Sequence, residues 1–188
     1  MASKRDWLDA GLEILADEGA PALTIERLTG RLGLSKGSFY HHFGGMGGYR
    51  TALLRHFEAE CTVRYIDQVE RDPQAPPLTR LERLVDLVVQ AKDSPRLEIA
   101  VRAWALQDPE VRRVQERIDA TRVAYLRSLW RAHSGDAAEA DRIARLFYLV
   151  TIGAEQIVPT LTGPELREMY ELTIRLATRR GEDDADQT

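Results

Sequence analysis

Cysteine is almost absent from this chain: Cys61 stands alone, so no disulfide framework within the chain holds the fold together. Long apolar runs are missing too. None approaches the roughly 20 residues that cross a bilayer, and no membrane partner is expected. Asp6 and Asp9 interrupt the N-terminal segment where a secretory leader would be apolar, which points to a cytoplasmic protein. No segment keeps the strict alternation of a strand, and no internal repeat is found. An excess of positive charge is also lacking. The net charge is −4, which argues against a protein that coats nucleic acid indiscriminately.

What is present is apolar residues at helical spacing. Hydrophobic content of 44% beside 30% charged residues is enough to bury a core, so the chain is expected to fold. Its organising stretch is Leu23 to Phe43, LTIERLTGRLGLSKGSFYHHF. Thr24 is suited to cap a helix, since its hydroxyl can accept from an unpaired first-turn amide. Ile25, Leu28 and Leu32 follow as one apolar face. Gly33 sits where that helix must end, because glycine enters a left-handed cap without steric cost. Leu34 plugs the turn and Ser35 caps a second helix. Phe39 and Phe43, four apart, face the first helix. Lys36, Gly37, Tyr40 and His41 then look outward.

That is the logic of a helix-turn-helix, whose second helix enters the DNA major groove. Lysine supplies charge, serine and tyrosine supply hydroxyl donors, and glycine admits close approach of a phosphate. Charge distribution agrees: between Gly19 and His56, Arg27, Arg31, Lys36, Arg50 and Arg55 stand against only Glu26. Lys4 and Arg5 form a short basic start, read first as a solvated terminus and second as an arm that can reach a neighbouring phosphate. The segment SKGSFYHHF following LTIERL, with the upstream helix ending Leu15-Ala16-Asp17-Glu18-Gly19, resembles the N-terminal signature of the TetR family of bacterial transcriptional regulators. The resemblance implies DNA contacts from Thr24, Ser35, Lys36, Gly37, Ser38, Tyr40 and His41. In that family the turn after the second helix often carries a lysine that touches the DNA backbone. Here Gly44-Gly45-Met46-Gly47-Gly48 replaces it, with Tyr49 and Arg50 as the nearest substitutes.

The rest reads as helices. The first opens at Ser3, with Asp6 completing a variant capping box, and carries Trp7, Leu8, Gly11, Leu12, Leu15 and Ala16. After a flexible joint over Gly44–Gly48, a fourth helix runs from Tyr49 to about Asp67. RDPQAPP (Arg71–Pro77) breaks the pattern. A fifth covers Leu78 to about Lys92, and prolines at 95 and 109 open a sixth and a seventh. Asp136 opens an eighth, and Glu165 to about Arg179 forms the ninth. The fold class is therefore all-α, with about nine helices, as the resemblance also implies. The domain expectation is a helix-turn-helix head over residues 1–48, an effector-binding and dimerisation body over 49–180, and a disordered acidic tail over 181–188.

The eighth helix is apolar on more than one side, which suits burial or an interface. The resemblance implies a homodimer through the last two long helices. Two heads would then read a palindromic double-stranded operator. Trp104, Tyr125, Trp130, Phe147, Tyr148 and Gln156 can line a pocket for a small apolar or amphipathic effector, although each also serves as a large side chain of the body. No enzyme is expected. GRLGLSKG misses a phosphate-binding loop at two positions and follows no strand. His41 and His42 diverge by about 100° on a helix, and His56 with Glu60 offers two ligands without a third. No metal or cofactor is expected. The reading is a one-component regulator, most simply a repressor. The alternative is a helical sensor or interaction module whose helix-turn-helix no longer reads DNA.

Overall fold

Helix starts are set by local hydrogen bonds in the computed structural model, which describes residues 3–91 and 94–185. The Ser3 hydroxyl accepts from the Asp6 amide at 3.2 Å and the Asp6 carboxylate accepts from the Ser3 amide at 2.7 Å. This closes a capping box at the head of α1 (Lys4–Glu18). Thr24 caps α2 (Ile25–Leu32) and Gly33 ends it in the left-handed region, at φ 65°. Ser35 caps α3 (Lys36–Phe43). A rod follows, made of α4 (Met46–Glu58), one wider π-type turn at Ala59–Val63, and α5 (Arg64–Val69).

Next come α6 (Pro77–Gln90) and α7 (Ser94–Gln107). Asp108 caps α8 (Pro109–Ser134) and Asp136 caps α9 (Ala137–Gln156). The last helix is α10 (Gly163–Ala185), opened by a Thr162–Glu165 box. With α4 to α5 taken as one rod, nine helical rods and no strand are present among the described residues.

Two expectations change. The joint expected over Gly44–Gly48 contracts to Gly44 and Gly45, whose φ values of 70° and 153° make the turn. Helix α4 already begins at Met46. Gly48 lies inside it, where a Cβ would stand 2.2 Å from the Phe43 carbonyl oxygen, so this glycine permits a close approach and loosens nothing. The tail also differs. Helix α10 continues to Ala185, into the segment expected to be disordered, and residues 186–188 lie outside those described. Gly181 opposes a helix by only about 1 kcal/mol, and the residues on either side, arginine and glutamate, favour one.

The chain separates into two compact units, Met1–Arg64 with Asp93–Ile118, and Tyr65–Lys92 with Asp119–Thr188. This division does not follow the expected boundary at residue 48. Helix α1 packs on α7, so α7 and the first turns of α8 share a core with the helix-turn-helix. That explains why α1 buries Ala10 and Ile14 as well as the expected stripe of Trp7, Leu8, Gly11 and Leu15: the helix is covered on two sides.

The first unit centres on Trp7, Phe39, Phe43 and Tyr49. Phe39 lies 5.5 Å from Trp7 and 5.3 Å from Tyr49, and Phe43 meets Tyr49 edge-on at 4.9 Å. Such pairs add about 0.5–1.5 kcal/mol each beyond area burial. Tyr49 is wholly buried and its hydroxyl donates to the Trp7 carbonyl at 2.9 Å. It passes over Gly11, where an added Cβ would sit 1.7 Å from the hydroxyl oxygen. The second unit gathers Leu81 and Val85 of α6, Leu126, Leu129 and Trp130 of α8, Phe147 of α9 and Tyr170 of α10.

Gly11→Ala is therefore expected to destabilise the protein by about 1–3 kcal/mol through overpacking, measured by urea unfolding. Adding Tyr49→Phe should recover part of that loss. Gly30→Ala, where a Cβ meets nothing within 4 Å on an exposed helix, should instead stabilise by about 0.5–1 kcal/mol.

Candidate nucleic-acid interface

The turn between α2 and α3 holds the outward face together. The Thr24 hydroxyl accepts from the Arg27 amide at 3.1 Å, and the Ser35 hydroxyl accepts from the Ser38 amide at 3.3 Å. Each bond occupies a lone pair of the oxygen and leaves the hydroxyl hydrogen able to donate elsewhere. Phe39 and Phe43 are buried on the inner side of α3. Thr24, Ser35, Lys36, Gly37, Tyr40 and His41 are exposed, while Ser38 is half-buried. Tyr40 keeps 52% of its surface accessible although its ring edge meets Phe39 at 5.9 Å. At Gly37 an added Cβ would meet only the Ser35 hydroxyl oxygen, at 3.7 Å. Six of the seven expected contact residues thus lie on α3 or cap it, Thr24 caps α2, and all but Ser38 face water.

Electrostatics depart from the count of charges along the sequence. Four of the five cations that make this stretch look basic, Arg27, Arg31, Lys36 and Arg50, hold carboxylates. Arg27 grips Glu18 of α1 with three contacts of 2.5–3.0 Å, and Arg31 reaches Glu13 at 2.7 Å. Lys36 pairs with Glu26 across the turn. The hydrogen bond that Lys36 donates to Glu26 holds the Glu26 carboxyl below its ordinary range and lifts the Lys36 ammonium above its own. These groups are exposed, so each pair adds little to stability. Glu13 and Glu18 fall just outside the window in which the sequence looks basic, and only folding brings them back to it.

The substitutes for the missing lysine are engaged too. Tyr49 lies in the core and cannot reach DNA. Arg50 pairs with Asp108, and its guanidinium stacks over the Trp104 ring at 5.0 Å. Partial burial pushes the Asp108 carboxyl up, but the Glu110 amide, Arg50 and the Val111 amide outweigh it and hold the group below the usual range. The basic start is likewise occupied, with Lys4 over the Phe43 ring at 5.5 Å and Arg5 against Glu60 at 2.8 Å.

The six body residues divide between the two units. Trp104 belongs to the core of the first unit, beside Arg50. Tyr125, Trp130, Phe147 and Tyr148 lie in the second, whereas Gln156 is exposed at the end of α9. Tyr170, which is not among the expected pocket residues, completes this group. It stacks on Phe147 at 5.9 Å, and its hydroxyl shares a 2.6 Å hydrogen bond with Thr151. Two carboxylates join in: Tyr125 donates to Glu70 at 2.6 Å and Tyr148 to Asp119 at 2.7 Å, with Arg80 bound to both Glu70 oxygens. The Trp130 indole N–H is buried without a hydrogen-bond partner. Among the described residues no three His, Cys, Asp or Glu side chains are placed to hold a metal, and no helix is long and apolar enough to cross a membrane.

Capped helices, a left-handed glycine turn and an outward α3 face backed by aromatics define a helix-turn-helix head. Residues 8–48 match the family described as bacterial regulatory proteins, tetR family. Over this head the chain is similar to that family. A Bacillus subtilis (strain 168) relative, the uncharacterised HTH-type transcriptional regulator YwcC, is 32% identical over 73 residues. The match takes in 38% of this chain and about a third of that relative's length, 33%.

Solved structures share the whole fold. A transcriptional regulator from Saccharomonospora viridis in complex with choline superposes with a TM-score of 0.77 at 17% identity, over 92% of this chain and 95% of that one. A TetR transcription regulator from Haloarcula marismortui gives 0.71 at 17%, over 96% of each chain. The multidrug binding protein EbrR, complexed with malachite green, gives 0.66 at 17%, over 92% and 98%.

Burial raises the hydroxyl pKa of three of the six tyrosines. Tyr49 and Tyr125 go well above the ordinary value, Tyr125 helped by its bond to Glu70, and Tyr170 is pushed up to about 12. Folding thus favours the protonated phenols. Their contribution to stability should be complete below pH 10.0, the ordinary value, and be lost as pH rises from there towards about 12. Alkaline titration of tyrosinate absorbance should show these three ionising only late, together with unfolding.

Proposed function

We propose that this chain is a TetR-type one-component transcriptional regulator, a cytoplasmic repressor that binds a palindromic DNA operator as a homodimer and is released by a small-molecule effector. The observation that carries the reading is the α3 face. Lys36, Gly37, Tyr40 and His41 are exposed on a helix whose other side is packed on aromatics, as a groove-reading helix requires. Thr24, Ser35, Tyr40 and His41 serve phosphate or sugar contacts, and Lys36, Gly37 and Ser38 approach base edges or adjacent phosphates. Residues 1–48 act as the reading head and 49–180 as the part that binds effector and partner.

The second subunit is argued from apolar surface. Leu146 and Leu149 on α9, and Leu172 and Leu176 on α10, are exposed at spacings of three and four, so each pair shares one helix face. A second copy covering α9 and α10 would bury them. The effector is supported by the group around Tyr125, Trp130, Phe147 and Tyr148, and by two relatives in complex with choline and malachite green. A small apolar or amphipathic molecule that prefers one spacing of the heads would shift the equilibrium by its difference in affinity between the two states. The pairing of the head's cations favours one competing reading, an interaction module that has lost DNA.

Titration against the DNA immediately upstream of the gene, with a scrambled duplex of equal length as control, decides between them. A preference of about a thousandfold or more is expected for the upstream DNA, with two subunits per site. Lys36→Ala should weaken binding and lower the salt slope by roughly one unit. Absence of binding to either duplex moves the assignment to the interaction module. Leu149→Arg should leave the helical fold intact and shift the mass in solution from twice 21.3 kDa to 21.3 kDa. An unchanged dimer would place the interface elsewhere.

A further inference from the structure

We propose that Glu26 is an affinity-determining residue of the reading head: its carboxylate is an internal stand-in for a DNA phosphate, and it competes with the duplex for Lys36. The inference rests on the DNA-binding reading above. Lys36 is the first residue of α3 and Glu26 lies in the first turn of α2, ten positions earlier. The turn at Gly33 folds one onto the other. Both remain exposed, with 58% and 69% of their side-chain surfaces accessible, so the pair sits on the face that α3 offers to DNA and not behind it.

The neighbouring pairs differ in placement. Arg27 and Arg31 reach back to Glu18 and Glu13 on α1, and so brace one helix against another. The pair of Lys36 with Glu26 lies within the helix-turn-helix itself. A carboxylate offers the ammonium what a phosphate oxygen offers, an anionic acceptor for a charge-assisted hydrogen bond. Each phosphate that Lys36 meets must therefore displace Glu26 or share the lysine with it. A displaced Glu26 is then left as an unpaired negative charge beside the DNA backbone. Either way part of the lysine's electrostatic gain is cancelled. An ordering role for Glu26 has less support, because one exposed partner restrains little of a lysine's flexible stem.

The test is a double-mutant cycle on the full chain, using a scrambled 30-base-pair duplex at low salt so that no operator need be known. Glu26→Gln should tighten binding by about two- to fivefold per head, the range of exposed ion pairs, with no change in thermal unfolding. In a Lys36→Ala background the same substitution should have much less effect. An equal gain in both backgrounds would overturn the proposal, since Glu26 would then act only as general negative charge. Weaker binding by Glu26→Gln would overturn it as well, by making Glu26 a residue that orients Lys36. Wild-type protein that binds neither this duplex nor the upstream DNA would remove the DNA-binding reading itself, and this inference with it.

Discussion

A single hydroxyl sets the arrangement of the first unit. Tyr49 enters the core from α4 and donates to the Trp7 carbonyl of α1, passing over a glycine that has no Cβ to exclude it. A buried phenol without a partner would carry a desolvation penalty of about 1–3 kcal/mol, so the bond and the space above Gly11 belong together. The ring also closes the aromatic group of Trp7, Phe39 and Phe43, and two of these are the inner side of α3. The outward angle of Lys36, Tyr40 and His41 depends on that packing. Gly48 makes a matching contribution, by letting the first turn of α4 rest against the last carbonyl of α3. Of the glycines after Phe43, Gly44 and Gly45 therefore make the turn and Gly48 serves close packing.

Electrostatics of the head follow from the same packing. With α1 held against α2, Glu13 and Glu18 come within reach of Arg31 and Arg27. Arg50, anchored by Asp108 and Trp104, is drawn towards α7 and α8. The outward face of α3 is small, rich in hydroxyls and close to electrically balanced. A head of that kind gains less from phosphate charge alone and leans more on contacts that need a particular geometry.

In the second unit, aromatic bulk and ionised groups lie side by side. Phe147 on Tyr170 forms an apolar stack, while Glu70, bridged by Arg80, takes the Tyr125 hydroxyl. Glu70 is only half-buried and accepts from both Arg80 and Tyr125. Exposed leucines on α9 and α10 explain why the eighth helix looked apolar on more than one side: Phe147 points into the core and Leu149 towards solvent.

Sequence alone determined what is decided within a few residues. Ser3, Thr24, Ser35 and Asp136 were legible as helix starts and Gly33 as a left-handed stop, because a cap bonds an amide two or three positions away. The all-α class and the outward face of α3 follow from 3.6-residue periodicity, a property of the helix itself. Tertiary structure alone decided the rest. Tyr49 went to the core rather than to DNA, and Trp104 and α7 joined the core of the first unit, since burial depends on elements distant in sequence. The apparent basic patch became a set of ion pairs for the same reason. A carboxylate 58 positions away from an arginine weighs nothing in a window along the chain, and becomes its closest partner once the helices pack.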